Sequence, residues 1–332
     1  MFQTTMKKNI LIVLVVLIAA VLGGVFYMLS PSGDIEKYQK FYADDTSVPT
    51  NGQVKATFFG VSTLLFDDGE TQLLIDGFFT RPPFLKLITS ALSTDTALID
   101  GLVSRYKMDR VKGIFATHSH YDHAFDVAYD AKKMNATLYG SVSTLNIGRG
   151  GGLKEEQLHL FVPYEEIRLG KFTVQIIPSI HSSPSALKDS GVVIKEPIRQ
   201  PVKMKDYPEG GSFDFLIKHN DHRIYIKPSP NYIEGALDTL KADVCFIGIG
   251  TISKKEPAWQ NKYYEQTIGK LHPKIVVPLH WDDFTRPIRG SLEMLPRFVA
   301  NTPKDFDFII QKTNSDKIDF KLLQAYKSIV LF

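Results

Sequence analysis

Ala116-Thr117-His118-Ser119-His120-Tyr121-Asp122-His123 packs three imidazoles and a carboxylate into six positions, His118 to His123. Residues 111–116 read as a buried strand, so His118 and His120, two residues apart just past its end, project to the same side. Asp122 and His123 open a helix expected to run through Met134. A strand end, a tight loop and a helix start therefore aim four ligand-type side chains at one point. Neutral imidazole nitrogen and carboxylate oxygen suit zinc and similar borderline cations, and a catalytic site keeps one coordination position for water. A His-rich surface loop is the bland alternative; the specific spacing weighs against it.

Upstream, residues 54–59, 63–66 and 72–75 read as short strands, the last two joined by a turn at Asp67-Asp68-Gly69, and Asp76 ends the third. Residues 78–85 are unusually apolar for a connection. They are expected to pack beneath a following helix, the functional alternative being a greasy lip of the active site. Residues 87–106 supply one or two short helices.

Downstream, residues 136–139 form the next strand, followed by a glycine-rich loop at 148–152. With no Lys-Ser/Thr after it, that run is not read as a phosphate cradle. The strand at 172–178 delivers His181 beyond its end. Residues 213–218 and 223–227 form a hairpin turned through Asn220-Asp221. Residues 243–248 are a buried strand holding Cys245, the only cysteine, read as a buried thiol. A helix at 263–271 and a strand at 274–278 follow, with His280 just past the strand. A helix at 291–300 and a closing strand at 306–310 complete the pattern. Residues 188–211 are rich in Pro, Lys and Gly and carry Lys195, Arg199, Lys203 and Lys205. They are weighed as an active-site lid attracting anions against a solvated insertion. His159, His219, His222 and His272 lack a strand-end placement and are expected at the surface.

His118-x-His120-x-Asp122-His123 resembles the H-x-H-x-D-H signature of the metallo-β-lactamase superfamily. Gly60-Val61-Ser62-Thr63 and Pro278-Leu279-His280-Trp281 are similar to the branch holding ascorbate-6-phosphate lactonases and the N-acyl phosphatidylethanolamine phospholipase D. The resemblance runs from about Val54 to about Phe284. It implies an α/β (α+β) fold, an αββα sandwich of two mixed sheets flanked by helices, which also fits candidate ligands lying just past strand ends. It further implies one metal site of His118, His120 and His181 and another of Asp122, His123 and His280. Asp76 is then expected to brace the metal loops, and Asp282 and Asp283 to brace loops or face substrate. The family places a metal-bridging Asp after the hairpin's second strand. This chain has Lys227-Pro228-Ser229-Pro230-Asn231 there, with Ser229 nearest the missing carboxylate and Asp282 or Asp283 as partial replacements.

These residues imply a hydrolase that uses metal-bound hydroxide, with Asp122 orienting the water, to cleave an ester, lactone, amide or phosphodiester. Without the bridging Asp, one Zn2+ is expected to be held firmly and a second weakly; Mn2+ or Fe2+ are alternatives. Asp282, Tyr232 or a metal-bound water are the candidate leaving-group acids. The non-enzymatic alternative is a catalytically weakened, membrane-tethered metal-binding module.

The 332 residues are 44% hydrophobic and 23% charged, ordinary for one large globular domain, here 53–332. A net charge of +3 with no basic run gives no expectation of a nucleic-acid partner. Residues 10–29 carry no charge, follow Lys7 and Lys8, and have the length of a membrane span. Residues 1–30 are read as an uncleaved anchor that leaves the domain on the non-cytoplasmic side, a cleaved signal peptide being the alternative. Residues 31–52 are a tether or an edge-hugging extension. The anchor and the apolar 78–85 stretch make a lipid-like substrate the first to test and a small sugar lactone its rival.

Overall fold

Strands alternate which face they bury, and that period of two builds the architecture. The computed structural model describes residues 2–50, 52–182 and 189–332. The first sheet is built from β1 (Lys55–Phe58), β2 (Leu64–Asp67), β3 (Gln72–Ile75), β4 (Val111–Phe115), β5 (Thr137–Gly140) and β6 (Leu158–Leu160). The second comprises β7 (Glu166–Leu169), β8 (Phe172–Ser179), β9 (Ser212–His219), β10 (His222–Lys227), β11 (Val244–Gly248), β12 (Ile275–Leu279) and β13 (Asp319–Phe320). The last strand, β14 (Ser328–Val330), returns to pair with β1, giving orders β14-β1-β2-β3-β4-β5-β6 and β13-β12-β11-β10-β9-β8-β7. Both sheets are mixed: β1 to β3 pair antiparallel and β3 to β6 parallel, while β7 to β10 pair antiparallel and β10 to β13 parallel.

Leu64, Phe66, Leu73, Ile75 and Phe115 face the second sheet across a shared core, with Phe66 meeting Phe246 and Phe115 meeting Phe215 at centroid distances of 5.6 and 5.8 Å. Their neighbours Leu65, Leu74 and Ile114 point the other way, into a second core under the helices. A one-residue slip would exchange the two faces, so the register is fixed by burial on both sides.

The helices are α1 (Phe2–Leu29), α2 (Phe84–Thr89), α3 (Thr96–Arg105), α4 (Tyr121–Ala124), α5 (Val127–Met134), α6 (Val142–Gly150), α7 (Pro257–Gln266), α8 (Ile268–Leu271) and α9 (Thr302–Ser315). Ile99, Leu102, Val127 and Ala131 seat α3 and α5 on the outer face of the first sheet. This is the αββα sandwich that the motif implied. In α1, Asn9–Leu29 is 21 residues long with mean hydropathy 3.0 and none of its most apolar stretch buried, enough to cross a membrane at about 1.5 Å per residue.

Several local expectations are corrected. Residues 306–310 lie inside α9, because Phe306 and Ile309 share one buried face at helical spacing while Asn301 accepts from Lys304 N as an N-cap. Residues 291–300 form no regular helix; Leu295 N bonds Trp281 O, so the segment answers to the loop beside it. The glycine run begins inside α6, whose Gly150 lies so close to Ile198 O that a side chain would collide with it. The helix after the motif is broken into α4 and α5 around Phe125-Asp126. His219 is buried, not at the surface, and pairs with Asp68 at 3.1 Å. Phe78 and Phe79 are core residues and Leu85 is exposed, so the apolar 78–85 stretch divides between the two readings. In the 31–52 segment a 3-10 helix, Ile35–Phe41, buries Ile35 and Tyr38 in the main core, so this part hugs the domain. Cys245 is buried, and burial pushes its thiol pKa up.

Candidate metal centre

His118 and His120 follow the end of β4, Asp122 and His123 open α4 just beyond them, and His181 and His280 follow the ends of β8 and β12. After β4, Thr117 donates from both N and Oγ1 to Asp76 Oδ1, at 2.7 and 2.9 Å. Asp76 follows β3 with a left-handed φ of 54° and accepts from Ser62 Oγ as well, while His123 Nδ1 lies 2.8 Å from its Oδ2. One fully buried carboxylate therefore ties together three loops, those after β1, β3 and β4. It braces the centre from behind and is not among the groups that meet.

Six side chains meet in two adjoining triads. His118, His120 and His181 form one and Asp122, His123 and His280 the other, with candidate ligand atoms within 4.8 Å of one another in each. In the first, His118 Nε2 lies 3.1 Å from His120 Nδ1. His181 Nδ1 lies 2.9 Å from Ser182 O, which leaves its Nε2 to the cluster. In the second, His280 Nε2 lies 3.2 Å from Asp122 Oδ2, and His123 Nε2 3.7 Å from the same oxygen. The rings of His118 and His123 are only 3.8 Å apart, centroid to centroid, so the triads share a wall.

The electrostatics follow from burial. Burial lowers the His118 pKa well below its ordinary value, and the neighbouring imidazoles lower it further. For the same two reasons His181 is lowered to about 3. Burial alone would keep Asp122 protonated, but His123 and His280 outweigh it and hold the carboxyl below the usual range. His123 is raised despite burial, through Asp76 and Asp122. His118 and His181 of the first triad are thus held neutral, and the second triad carries a carboxylate.

This donor set fits a divalent cation. His123 Nε2 is buried with no hydrogen-bond partner, an expensive state that coordination would relieve. The opposite nitrogens are held by protein groups: His123 Nδ1 by Asp76 and Ser62, and His120 Nε2 by Asp189 at 3.0 Å. Such outer partners fix the ring tautomer and orientation of metal-binding histidines. The opening motif contains no cue to Asp189, because it contacts His120 across 69 positions of chain. Ser62 joins this brace through its hydroxyl, which donates to Asp76 and lies 2.9 Å from His123 Nδ1.

Other expected residues are placed elsewhere. Asp282 spends Oδ1 on Val61 N at 2.8 Å and Oδ2 on Arg81 at 2.7 Å, and so locks the loop after β12 to those after β1 and β3. Asp283 accepts from Thr285 and pairs with Arg286 at 2.9 Å. Neither carboxylate lies in the two triads, and both oxygens of Asp282 are engaged. Gly60 makes the lock possible: its φ is +94° and a side chain there would strike the Arg81 guanidinium. His280, with φ 57°, is held from its backbone N to Val61 O at 2.7 Å.

Ser229 is buried after β10. Two residues before it, Lys227 donates to Asp214 at 2.9 Å and to Ser179 Oγ at 3.0 Å, an ion pair absent from the sequence reading. Two residues after it, Asn231 Nδ2 donates to His181 O at 2.8 Å. The ring of Tyr232 lies 5.7 Å from that of Trp259. Of the 188–211 segment, Lys188 lies outside the described residues. From Asp189 onward the chain is pinned by Ile194 N to Ser143 Oγ, Ser119 N to Glu209 O and a bridge of Val202 to Leu92, while Lys195, Arg199, Lys203 and Lys205 stay exposed.

The profile of the beta-lactamase superfamily domain matches residues 71–281. A UPF0173 metal-dependent hydrolase of Heliobacterium modesticaldum is 24% identical over 232 residues, 69% of this chain and 82% of its own. One from Staphylococcus carnosus is 23% identical over 266 residues, 78% of this chain and 94% of its own. Among solved structures, Igni18, a metallo hydrolase from Ignicoccus hospitalis, superposes with a TM-score of 0.55 at 15% identity, over 84% of this chain and 99% of that one. CmlA, a diiron β-hydroxylase from Streptomyces venezuelae, does so at 0.50 and 12%, over 86% of this chain and 55% of that one. With the strand-end triads, the two mixed sheets and the span matched by the profile, the chain belongs to the metallo-β-lactamase superfamily.

Proposed function

We propose that the protein is a metal-dependent hydrolase in which His118, His120 and His181 hold one cation and Asp122, His123 and His280 a second, weaker one. The observation that carries this is the convergence of five imidazoles and one carboxylate into two triads sharing a wall. The relatives it matches over most of their length are named metal-dependent hydrolases. Zn2+ suits the donors, and Mn2+ or Fe2+ remain alternatives.

When bound, such ions supply a water acidified to a pKa of about 7 and Lewis-acid polarisation of the scissile carbonyl or phosphoryl oxygen. The chain's own groups do the rest. Asp122 is an acceptor at the rim of the cluster and orients the attacking water. Asp76 and Asp189 keep His123 and His120 turned inward, and the Arg81–Asp282 lock holds the His280 loop at the mouth.

The substrate reading is an ester, lactone, amide or phosphodiester with a lipid-like portion, acting beside the membrane that α1 spans. The long exposed apolar helix supports it. The test joins metal analysis of the purified full-length chain to a hydrolysis panel in which each scissile group comes in short and long-chain forms. Metal bound with turnover that disappears in His120→Ala is expected. Metal retained with no turnover across the panel would replace the hydrolase with a metal-binding module. Equal turnover of short and long forms would remove the lipid-like part alone.

A further inference from the structure

The C-terminal end of α1 is not a free tether. Arg286 caps it through Leu29 O at 2.8 Å, and the Arg297 guanidinium lies 4.7 Å from the centre of the Tyr27 ring. Phe298 N donates to Met28 O at 3.1 Å, and Pro31 bridges to Pro296. The point where the chain would leave the membrane is thus welded to residues 286–298, the strap that follows His280.

One ring further on is α2. Phe84 packs on Phe298 at 5.9 Å between centroids, so α2 is one side chain away from the base of α1. In α2, Leu87 faces the core, while Leu85 and Ile88, three positions apart and on one face, are 69% and 53% exposed. Phe298 is itself 39% exposed. Lys86, within α2, and Arg289 stand exposed, and among the described residues neither has a carboxylate partner. Two adjoining cavities of about 400 and 360 Å³ open here, the first lined by Lys86 and the second by Arg289, and share Arg81, Pro83, Pro287 and Ile288 as walls. Arg81 is the residue that locks the His280 loop.

We propose that Leu85, Ile88 and Phe298, flanked by Lys86 and Arg289, form a docking surface that sits in the anionic headgroup layer of the bilayer α1 spans. This rests on α1 being a retained span. The surface continues from the base of the span, Leu85 and Ile88 are more than half exposed among the described residues, and its unpaired cations match anionic lipid. It fixes the domain's tilt and places the two cavities at the lipid surface, so an amphiphile reaches them without leaving the bilayer.

The test uses the full-length chain in vesicles of phosphatidylcholine and phosphatidylglycerol. Cys245 is replaced by serine and a single cysteine, Leu85→Cys, Ile88→Cys or Val162→Cys, carries an environment-sensitive fluorophore. Val162 is equally exposed but follows β6, at the opposite edge of the first sheet from β14. Lipids carrying a nitroxide at the headgroup or upper acyl chain should quench positions 85 and 88 at least about threefold more than position 162. A Lys86→Glu/Arg289→Glu background should lower that quenching and remove its dependence on phosphatidylglycerol. Equal quenching at all three positions overturns the proposal. So does a blue-shifted label that lipid nitroxides do not reach, which would mean a second copy covers the face, and so does loss of α1 from the mature chain. The readout needs no turnover, so it stands or falls apart from the hydrolase reading.

Discussion

On the first-sheet side of the centre, Asp76 accepts from Ser62 and Thr117 and backs His123, so the loops after β1, β3 and β4 are fixed before any ion arrives. On the second-sheet side, among the described residues, the His181 ring nitrogen Nδ1 lies against Ser182 O and its backbone O accepts from Asn231, while Ser229 is buried two residues after the Lys227–Asp214 pair. The first side is pre-organised by protein groups, whereas the second depends on the ion to complete it. The difference implies that affinity resides mainly in the β3–β4 loops and that tunability resides after β8 and β10.

The largest effect should come from the shared wall. His118→Ala is expected to lower hydrolysis on the order of 10³-fold and to reduce bound metal in elemental analysis. If Asn231→Ala were equally damaging, the two sides would not differ as described. Next, Asp76→Asn keeps the shape but loses the charge behind His123, and should weaken metal binding about 10–100-fold in a chelator competition. Asp189→Asn, backing one histidine from a longer loop, should weaken it less, roughly severalfold. The opposite order would put the brace on the second side. Ser229→Asp adds an anionic oxygen where the family bridges, and should tighten the weaker ion roughly tenfold by calorimetric titration. No change there would show that this corner does not reach the ions.

The smallest effect separates global stability from the centre. Burial pushes the Asp305 carboxyl up to about 7, against the lowering bonds from Ser253. Its folded pKa lies above the unfolded value of about 3.9, so the folded state holds the proton more tightly. That stability is complete below about pH 4 and lost as pH rises through about 7. Asp305→Asn should flatten melting temperature against pH between about 5 and 8 by a few degrees, with metal binding unchanged.

Pattern strength decided what could be read in advance. The strands at 72–75, 111–116 and 172–178 are dense in apolar residues and are followed by polar residues of the centre or its brace, so both strand and strand end were legible. Residues 306–310 read equally well as a strand, and only the burial of Phe306 and Ile309 on a helical face resolves them. His219 looked like a surface residue because the sequence gives no hint that Asp68, 151 positions away, lies against it.

The sequence by itself determined the strands and the residue types that meet a cation, which depend on periodicity and on spacing within a few positions, and the superfamily and its αββα sandwich, which the motif's resemblance implied. Tertiary structure alone decided which groups Asp76 braces, that Asp282 belongs to Arg81, that Asp189 backs His120 and that α2 lies beside the base of α1. Those partnerships join segments far apart in the chain, where nothing local records which groups will be brought within hydrogen-bonding distance.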